Sequence, residues 1–125
     1  MIDRKKILLV EDNLELLELY KEMLNGLGHT YKALDNVIGL EETICSYQPD
    51  LLMLDIMMPD RDGIELMTNM LRQGMRLPIL VISSSREYAE TGVFFGASYH
   101  QTKPFSSDDL RYAIHTCIEN FKNNQ

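Results

Sequence analysis

Three carboxylates in this sequence directly follow apolar segments, which places their chemistry at the edge of a core. Asp55 follows the segment 51–54, and Glu11 and Asp12 follow the segment 7–10. An ionised carboxylate leaves water only at a high cost unless it is paired, binds a metal or takes part in a reaction. We therefore interpret the three acids as candidate functional groups.

A hydroxyl and a lysine stand at corresponding places later in the chain. Ser83 follows the apolar segment 78–82, and Lys103 follows a weaker segment around Tyr99. If the three acids converge, their mutual repulsion favours binding of a hard divalent ion that prefers oxygen ligands. We expect Mg²⁺, for which Mn²⁺ could substitute. An oxygen of Asp55 could then attack phosphorus, with the hydroxyl and the ammonium group stabilising the phosphoryl oxygens.

The surrounding sequence alternates between apolar segments of strand length and amphipathic segments of helix length. We predict strands at about 7–10, 29–34, 51–54, 78–82 and 99–102, and helices at about 37–47, 63–73 and 86–95. The first helix is predicted to begin at an Asn13 cap and to stop at Gly26. The last is predicted to begin at Ser106 or Ser107 and to fray from Asn120. This alternation indicates an α/β fold with a parallel sheet covered on both faces, whose ligands bind at the carboxyl ends of the strands.

Length and composition predict one globular domain. The chain has 125 residues, 45% of them hydrophobic, so residues 1–125 leave no room for a second domain. The net charge of −7 argues against sequence-independent nucleic-acid binding, and the apolar segments are too short to cross a membrane. Cys45 and Cys117 lack metal-like spacing and the start is not typical of a signal peptide, so we predict a cytoplasmic chain with reduced thiols.

Together these residues resemble the receiver domain of bacterial two-component response regulators, from about Lys6 to Phe121. The matching segments are Leu8–Asn13, Asp55–Pro59 with Gly63, Pro78–Ser83, Gly96–Ala97 and Lys103–Phe105. The resemblance implies a doubly wound, flavodoxin-like fold with a five-stranded parallel sheet in the order 2-1-3-4-5 and a core at about 6–121.

The resemblance also implies a role for each acid. Asp55 would be the phosphorylated aspartate and Asp12 a direct Mg²⁺ ligand. Glu11 would act through a metal-bound water, and the backbone carbonyl of Met57 would complete the protein ligands.

For the phosphorylated state, the resemblance implies a switch at two strand ends. Ser83 would be the switch hydroxyl, and Lys103 would pair with the phosphoryl group, aimed by a cis bond to Pro104. His100 aligns with the aromatic residue that swings inward in the family, and a histidine there would make the output surface sensitive to pH.

Two positions tune the lifetime of the phosphorylated state in this family, and here they are Met57 and Ser85. A thioether cannot orient an attacking water, so we predict slower hydrolysis than in regulators with a polar side chain at the position of Met57. The segment from Ser83 to Gly96 is shorter than is usual in the family, which predicts a truncated or displaced fourth helix.

By resemblance, the chain accepts a phosphoryl group from a histidine kinase or a phosphotransfer protein and turns over no metabolite, so we predict that it is not an enzyme. The face of the fourth helix, fifth strand and fifth helix would meet a downstream protein or an output domain, with homodimerisation left open.

One alternative is a pseudo-receiver that binds partners without phosphorylation and holds no Mg²⁺. Another is a small Mg²⁺-dependent phosphohydrolase, which would usually carry a second acid where Met57 stands.

Other polar candidates have ordinary structural interpretations. His29 and His115 are predicted to be surface or half-buried residues, because neither has metal-like spacing to a partner. Cys117 lies on the apolar face of the last helix, which predicts a core position. Asp55 alone could be a strand-end cap, but the acids, hydroxyl and lysine that accompany it favour a functional site.

Overall fold

A parallel sheet of five strands forms the centre of the molecule. In a computed structural model that describes residues 3–58 and 61–124, seven strands are numbered in chain order. They are β1 (Lys6–Val10), β2 (Thr30–Leu34), β3 (Leu51–Asp55), β4 (Met57–Met58), β5 (Arg61–Asp62), β6 (Ile79–Ser83) and β7 (Tyr99–Thr102). The sheet order is β2-β1-β3-β6-β7, which confirms the predicted order 2-1-3-4-5 when only these five strands are counted.

A two-residue antiparallel pair, β4 with β5, was not predicted. Met57 pairs with Asp62, and Met58 pairs with Arg61, directly after β3. The pair lies between β3 and α3, and the two residues that join its strands, Pro59 and Asp60, lie outside the described residues.

Within residues 3–58 and 61–124, five helices cover the two faces of the sheet. They are α1 (Leu14–Gly26), α2 (Leu40–Tyr47), α3 (Gly63–Arg72), α4 (Arg86–Phe94) and α5 (Ser107–Asn123). The first and last pack on one face, where Cys117 is buried as predicted, and α2 and α3 pack on the other. Successive residues of a strand point to opposite faces, so a central strand covered on both sides is apolar at successive positions, as β3 and β6 are up to their last residues. Within the described residues, no helix combines the length and the apolarity required to traverse a bilayer.

Side-chain caps begin the helices next to the strand ends. The Oδ1 atom of Asn13 accepts a hydrogen bond from the amide of Leu16 at 3.1 Å and begins α1, as predicted. Ser106 begins α5 through a reciprocal pair of hydrogen bonds with Asp109. Because a cap satisfies amides that have no partner within the helix, these residues define where each helix leaves the sheet edge.

Left-handed glycines lie near two predicted helix ends. The first helix ends at Gly26 as predicted, and the left-handed residue that then turns the chain away is Gly28, with φ of 88°. The second helix begins at Leu40 instead of about 37, after Gly39 with φ of 70°. A residue with a side chain would be strained at both left-handed positions.

Two polar side chains at the amino ends of strands correct further predictions. The last helix does not fray from Asn120, because its Nδ2 atom donates to the carbonyl of Ser98 at 2.9 Å and α5 continues to Asn123. His29 was expected at the surface or half-buried, but it is buried. Its Nδ1 atom accepts the amide of Lys5 at 3.1 Å, and burial, with the nearby lysine charge, lowers the pKa of the imidazole.

Candidate functional site

The carboxyl ends of β1, β3, β6 and β7 bring the candidate residues to one edge of the sheet. Val10 pairs with Leu54, so the residues that follow them, Glu11 and Asp55, are adjacent across β1 and β3. Ser83 is the last residue of β6 and pairs with Thr102 of β7. Lys103 follows that pair, which brings its ammonium group to the acids from the other side.

Three carboxylates converge at this edge. Glu11, Asp12 and Asp55 each offer an oxygen that lies within 4.8 Å of the other two. Oxygens on an octahedral Mg²⁺ lie about 3–4 Å apart, so small side-chain movements would bring these three onto one ion. Glu11 and Asp55 are only 1% and 3% exposed, and Glu11 Oε1 lacks a hydrogen bond of normal geometry among the described residues. The site therefore has both the donor atoms and the uncompensated negative charge that a divalent cation would satisfy.

Lys103 brings a positive charge to the three acids. Its Nζ atom lies 2.8 Å from Glu11 Oε1 and 3.1 Å from Asp55 Oδ2. Burial by itself favours the neutral amine, but the two carboxylates outweigh it and raise the pKa of Lys103. The peptide bond between Lys103 and Pro104 is cis, the form that the resemblance implies.

The environment of Glu11 favours its protonated form. Burial and the neighbouring Asp55 raise the pKa of Glu11 from 4.5 to about 7, although Lys103 and the amide of Asn13 act in the opposite direction. That amide donates to Glu11 Oε2 at 3.1 Å. A carboxylate that is costly to ionise in isolation is suited to a site that a cation completes.

Asp55 is held by both of its oxygens. The Oδ1 atom accepts the amide of Met57 at 2.9 Å, and the Oδ2 atom faces Lys103. Because the amide belongs to the first residue of β4, the β4–β5 pair helps to hold the backbone of Met57 next to Asp55. The unpredicted hairpin thus helps to position a predicted site residue.

The hydroxyl of Ser83 is fully buried and has a partner on each side. Its Oγ atom donates to the Sδ atom of Met57 at 2.9 Å and accepts the amide of Ser85 at 3.0 Å. The Oγ atom of Ser85 in turn accepts the amide of Tyr88 at 3.2 Å and caps α4. Ser83 is therefore linked by two hydrogen bonds to the first turn of α4.

A tyrosine on α4 closes this set of contacts into a ring. Tyr88 donates its hydroxyl to Asp62 Oδ1 at 2.8 Å, and Asp62 also caps α3 through the amide of Ile64. The hydrogen bond from Tyr88 lowers the pKa of Asp62, while burial and Asp62 raise the pKa of Tyr88 to about 12. Asp62 pairs with Met57 across the hairpin, and the sulfur of Met57 accepts the hydroxyl of Ser83. The ring therefore runs from Ser83 through Ser85, Tyr88, Asp62 and Met57 back to Ser83. The roles of Asp62 and Tyr88 were not predicted from the sequence, although an aspartate before Gly63 is a typical helix cap.

His100 lies on the same side of the sheet as the buried hydroxyl. It pairs with Val81 on β6, two residues before the pair of Thr102 with Ser83, so the side chains of both pairs project to one face. The imidazole is partly buried against Tyr99, with ring centroids 5.9 Å apart. Its Nδ1 atom is buried and has no hydrogen-bond partner among the described residues.

Comparison with known proteins identifies a family. The response regulator receiver domain matches residues 7–115. The response regulator protein PmrA of Pseudomonas aeruginosa is 32% identical over 111 residues, covering 87% of this chain and 50% of that protein. The response regulator MprA of Mycobacterium ulcerans is 34% identical over 107 residues, covering 84% and 46%. The chain thus spans about half the length of these curated relatives.

A solved structure supports the same assignment of fold. The receiver domain of the Francisella response regulator 1452 superposes with a TM-score of 0.80 and 26% sequence identity. The alignment covers 98% of this chain and 100% of that structure.

Proposed function

This chain belongs to the response regulator receiver domain family of two-component systems, and from that premise we propose that Asp55 is its phosphoryl acceptor. The proposal depends on one observation above all: Asp55 lies with Glu11 and Asp12 in a carboxylate cluster and is paired with Lys103. The proposed receiver domain is a single unit of residues 1–125 with a core at about 6–121. Receiver domains are switches, not enzymes in the usual sense.

Receiver domains bind Mg²⁺ at an acidic pocket, and the corresponding pocket of this chain has suitable donors. We assign Asp12 and Asp55 as direct ligands, Glu11 as a ligand through water, and Met57 as a ligand through its backbone carbonyl. When bound, Mg²⁺ or Mn²⁺ would neutralise charge on an incoming phosphoryl group. The excess of negative charge supports this assignment, because three carboxylates meet here and the ammonium group of Lys103 pairs with two of them.

The chain's own groups supply the remaining steps. An oxygen of Asp55 forms a bond to phosphorus while the bond from phosphorus to the donor breaks, so the phosphoryl group moves from a histidine kinase or phosphotransfer protein to the aspartate. Lys103 remains as the cation beside the new phosphoryl oxygens. Ser83 leaves the sulfur of Met57 and donates its hydroxyl to one of those oxygens, which are stronger acceptors. Hydrolysis is slow because the thioether of Met57 positions no water.

Movement of Ser83 is the step that reaches the output surface. Its hydroxyl accepts the amide of Ser85, so its rotation disturbs the cap of α4 and frees space toward His100 on β7. The face of α4, β7 and α5 would then bind a downstream protein or an output domain in the cytoplasm, with a second copy of the chain as another occupant. This chain makes no direct contact with nucleic acid in the proposal.

The first experiment is intact mass spectrometry after incubation with Mg²⁺ and acetyl phosphate or phosphoramidate. We expect one phosphoryl adduct on the unaltered chain and none on Asp55→Asn, because an amide cannot act as the nucleophile. Asp108→Asn, which removes an exposed carboxylate from α5, is the matched control and should retain the adduct. An adduct on Asp55→Asn would refute the assignment, and the absence of both adduct and Mg²⁺ binding would favour the pseudo-receiver.

Replacing Tyr88 by phenylalanine should increase the affinity of the chain for beryllofluoride, a phosphoryl mimic, by about two- to tenfold. The hydrogen bond from Tyr88 to Asp62 exists in the unphosphorylated arrangement and must weaken if α4 moves. Its removal therefore lowers the cost of switching, which calorimetric titration can measure. Tyr112→Phe, at an exposed tyrosine of α5, should leave the affinity unchanged. Equal affinities for Tyr88→Phe and the unaltered chain would show that this contact does not restrain α4.

A further inference from the structure

Met57 differs from the other described methionines in its accessibility. Its residue is 49% exposed, whereas Met53, Met58, Met67 and Met70 are at most 8% exposed. Met23 and Met75 are only partly exposed. Met57 is thus the most exposed residue among the described methionines, and exposure favours oxidation because the oxidant must reach the side chain.

The sulfur of Met57 also has an unusual partner. The buried hydroxyl of Ser83 donates to it at 2.9 Å. A thioether is a weak hydrogen-bond acceptor, whereas a sulfoxide carries a polar oxygen that accepts strongly. The same side chain therefore combines access to solvent with direct contact to the residue that the proposed switch must move.

We propose that Met57 is a site of reversible oxidation by hydrogen peroxide, and that its sulfoxide retains the hydroxyl of Ser83 in the resting position. A sulfur lone pair attacks one peroxide oxygen, the O–O bond breaks, and a new S–O bond forms. The departing hydroxide takes the proton from the oxygen now bound to sulfur and leaves as water, so the product is the sulfoxide; sulfur loses two electrons and peroxide gains them. Methionine sulfoxide reductases would restore the thioether.

Retention of Ser83 opposes phosphorylation, and in this respect the inference rests on the proposed function. In the reduced chain, the hydroxyl exchanges a weak sulfur acceptor for a phosphoryl oxygen. In the oxidised chain, it must give up a stronger acceptor first. One neutral hydrogen bond contributes about 0.5–1.5 kcal/mol, so we expect a two- to tenfold lower affinity for beryllofluoride.

The test compares the chain before and after peroxide treatment, followed by dithiothreitol to reverse oxidation of the exposed Cys45. Peptide mass spectrometry should find one added oxygen on Met57 before any on the buried methionines. Beryllofluoride affinity at saturating Mg²⁺ should fall two- to tenfold and recover after reductase treatment. Met57→Leu should have the same affinity before and after peroxide, whereas Met75→Leu should remain sensitive. No preference for Met57, or equal loss in Met57→Leu, would overturn the proposal.

A second measurement separates this inference from the proposed function. The amide of Ser85 donates to the Ser83 hydroxyl, so its proton resonance should shift on oxidation of Met57 without any phosphoryl group present. An unchanged resonance would refute the link between Met57 and Ser83. If the untreated chain accepts neither phosphoryl group nor beryllofluoride while the resonance shifts, the proposed function fails and the oxidation site stands.

Discussion

Replacement of Lys103 by methionine should lower the free energy of unfolding by about 3 kcal/mol near pH 8 in the absence of divalent ions. The substitution retains most of the aliphatic stem but removes the ammonium group that lies within 3.1 Å of both Glu11 and Asp55. Breaking a buried ion pair from one side leaves a charge without compensation, which is more costly than removing the whole pair. The Lys103 side chain is 16% exposed, so the lower end of the usual range applies.

The loss should be much smaller near pH 5, because Glu11 can then be protonated. Its folded pKa, about 7, lies above its ordinary value of 4.5. A raised folded pKa means that Glu11 contributes stability below about pH 4.5 that is lost as the pH rises through about 7. Lys103 lowers the pKa of Glu11, so removal of Lys103 raises that pKa further. The stability that protonated Glu11 contributes is then lost over a range that extends to higher pH. Millimolar Mg²⁺ should recover part of the stability near pH 8 by replacing the missing positive charge.

Denaturant titrations at several pH values can measure this difference. Lys21→Met is the matched control, because Lys21 pairs with Glu18 at 2.9 Å on the surface of α1. An exposed pair contributes little, so this control should change stability by less than about 0.5 kcal/mol at every pH. A loss for Lys103→Met that is constant from acid to alkaline pH would mean that Glu11 is not the residue whose charge it compensates.

The sheet and the grouping of the acids could be predicted because both depend on short-range patterns. The strands β3 and β6 are buried at every position, and each is apolar up to its last residue, Asp55 in β3 and Ser83 in β6. The carboxyl ends of parallel strands meet at one edge, so residues that follow them must be neighbours there. The meeting of Glu11, Asp55 and Lys103 follows from this rule, while the roles of these residues in catalysis remain predictions.

The contacts that link the site to α4 could not be predicted because they join distant segments through side-chain geometry. The hydrogen bonds of Ser83 with Met57 and of Tyr88 with Asp62 each span 26 residues. Serine and tyrosine have many potential partners, and the choice depends on rotamers that packing selects. The β4–β5 pair has two residues in each strand, too few to produce an alternating pattern.

The burial of His29 and the left-handed turn at Gly28 were not predicted, for a related reason. A histidine is expected near the surface unless a partner accepts or donates a hydrogen bond, and the amide of Lys5, 24 residues away, is such a partner. Gly26 and Gly28 are both plausible helix stops by residue type. Only the backbone angles identify Gly28 as the left-handed residue.

Gly63→Ala should destabilise the chain by about 3 kcal/mol, because the start of α3 has no room for a methyl group. A Cβ atom at Gly63 would lie 2.5 Å from the Cα atom of Ile56 and 2.8 Å from its Cβ atom. A backbone atom cannot rotate away as a flexible side chain can, so either α3 or the segment after Asp55 must shift. The amide of Gly63 also donates to the carbonyl of Ile56 at 3.3 Å, and a shift would strain that bond.

Gly26→Ala provides the control, because Gly26 is also helical and a Cβ atom there meets nothing within 4 Å. It should be neutral or stabilising by up to about 1 kcal/mol, since alanine restricts the unfolded chain. Thermal and denaturant unfolding of both variants would measure the contrast. Equal stabilities would mean that α3 can withdraw from Ile56 at little cost. In that case the hairpin that holds Met57 beside Asp55 would also be free to move, and Gly63→Ala should impair phosphorylation without impairing folding.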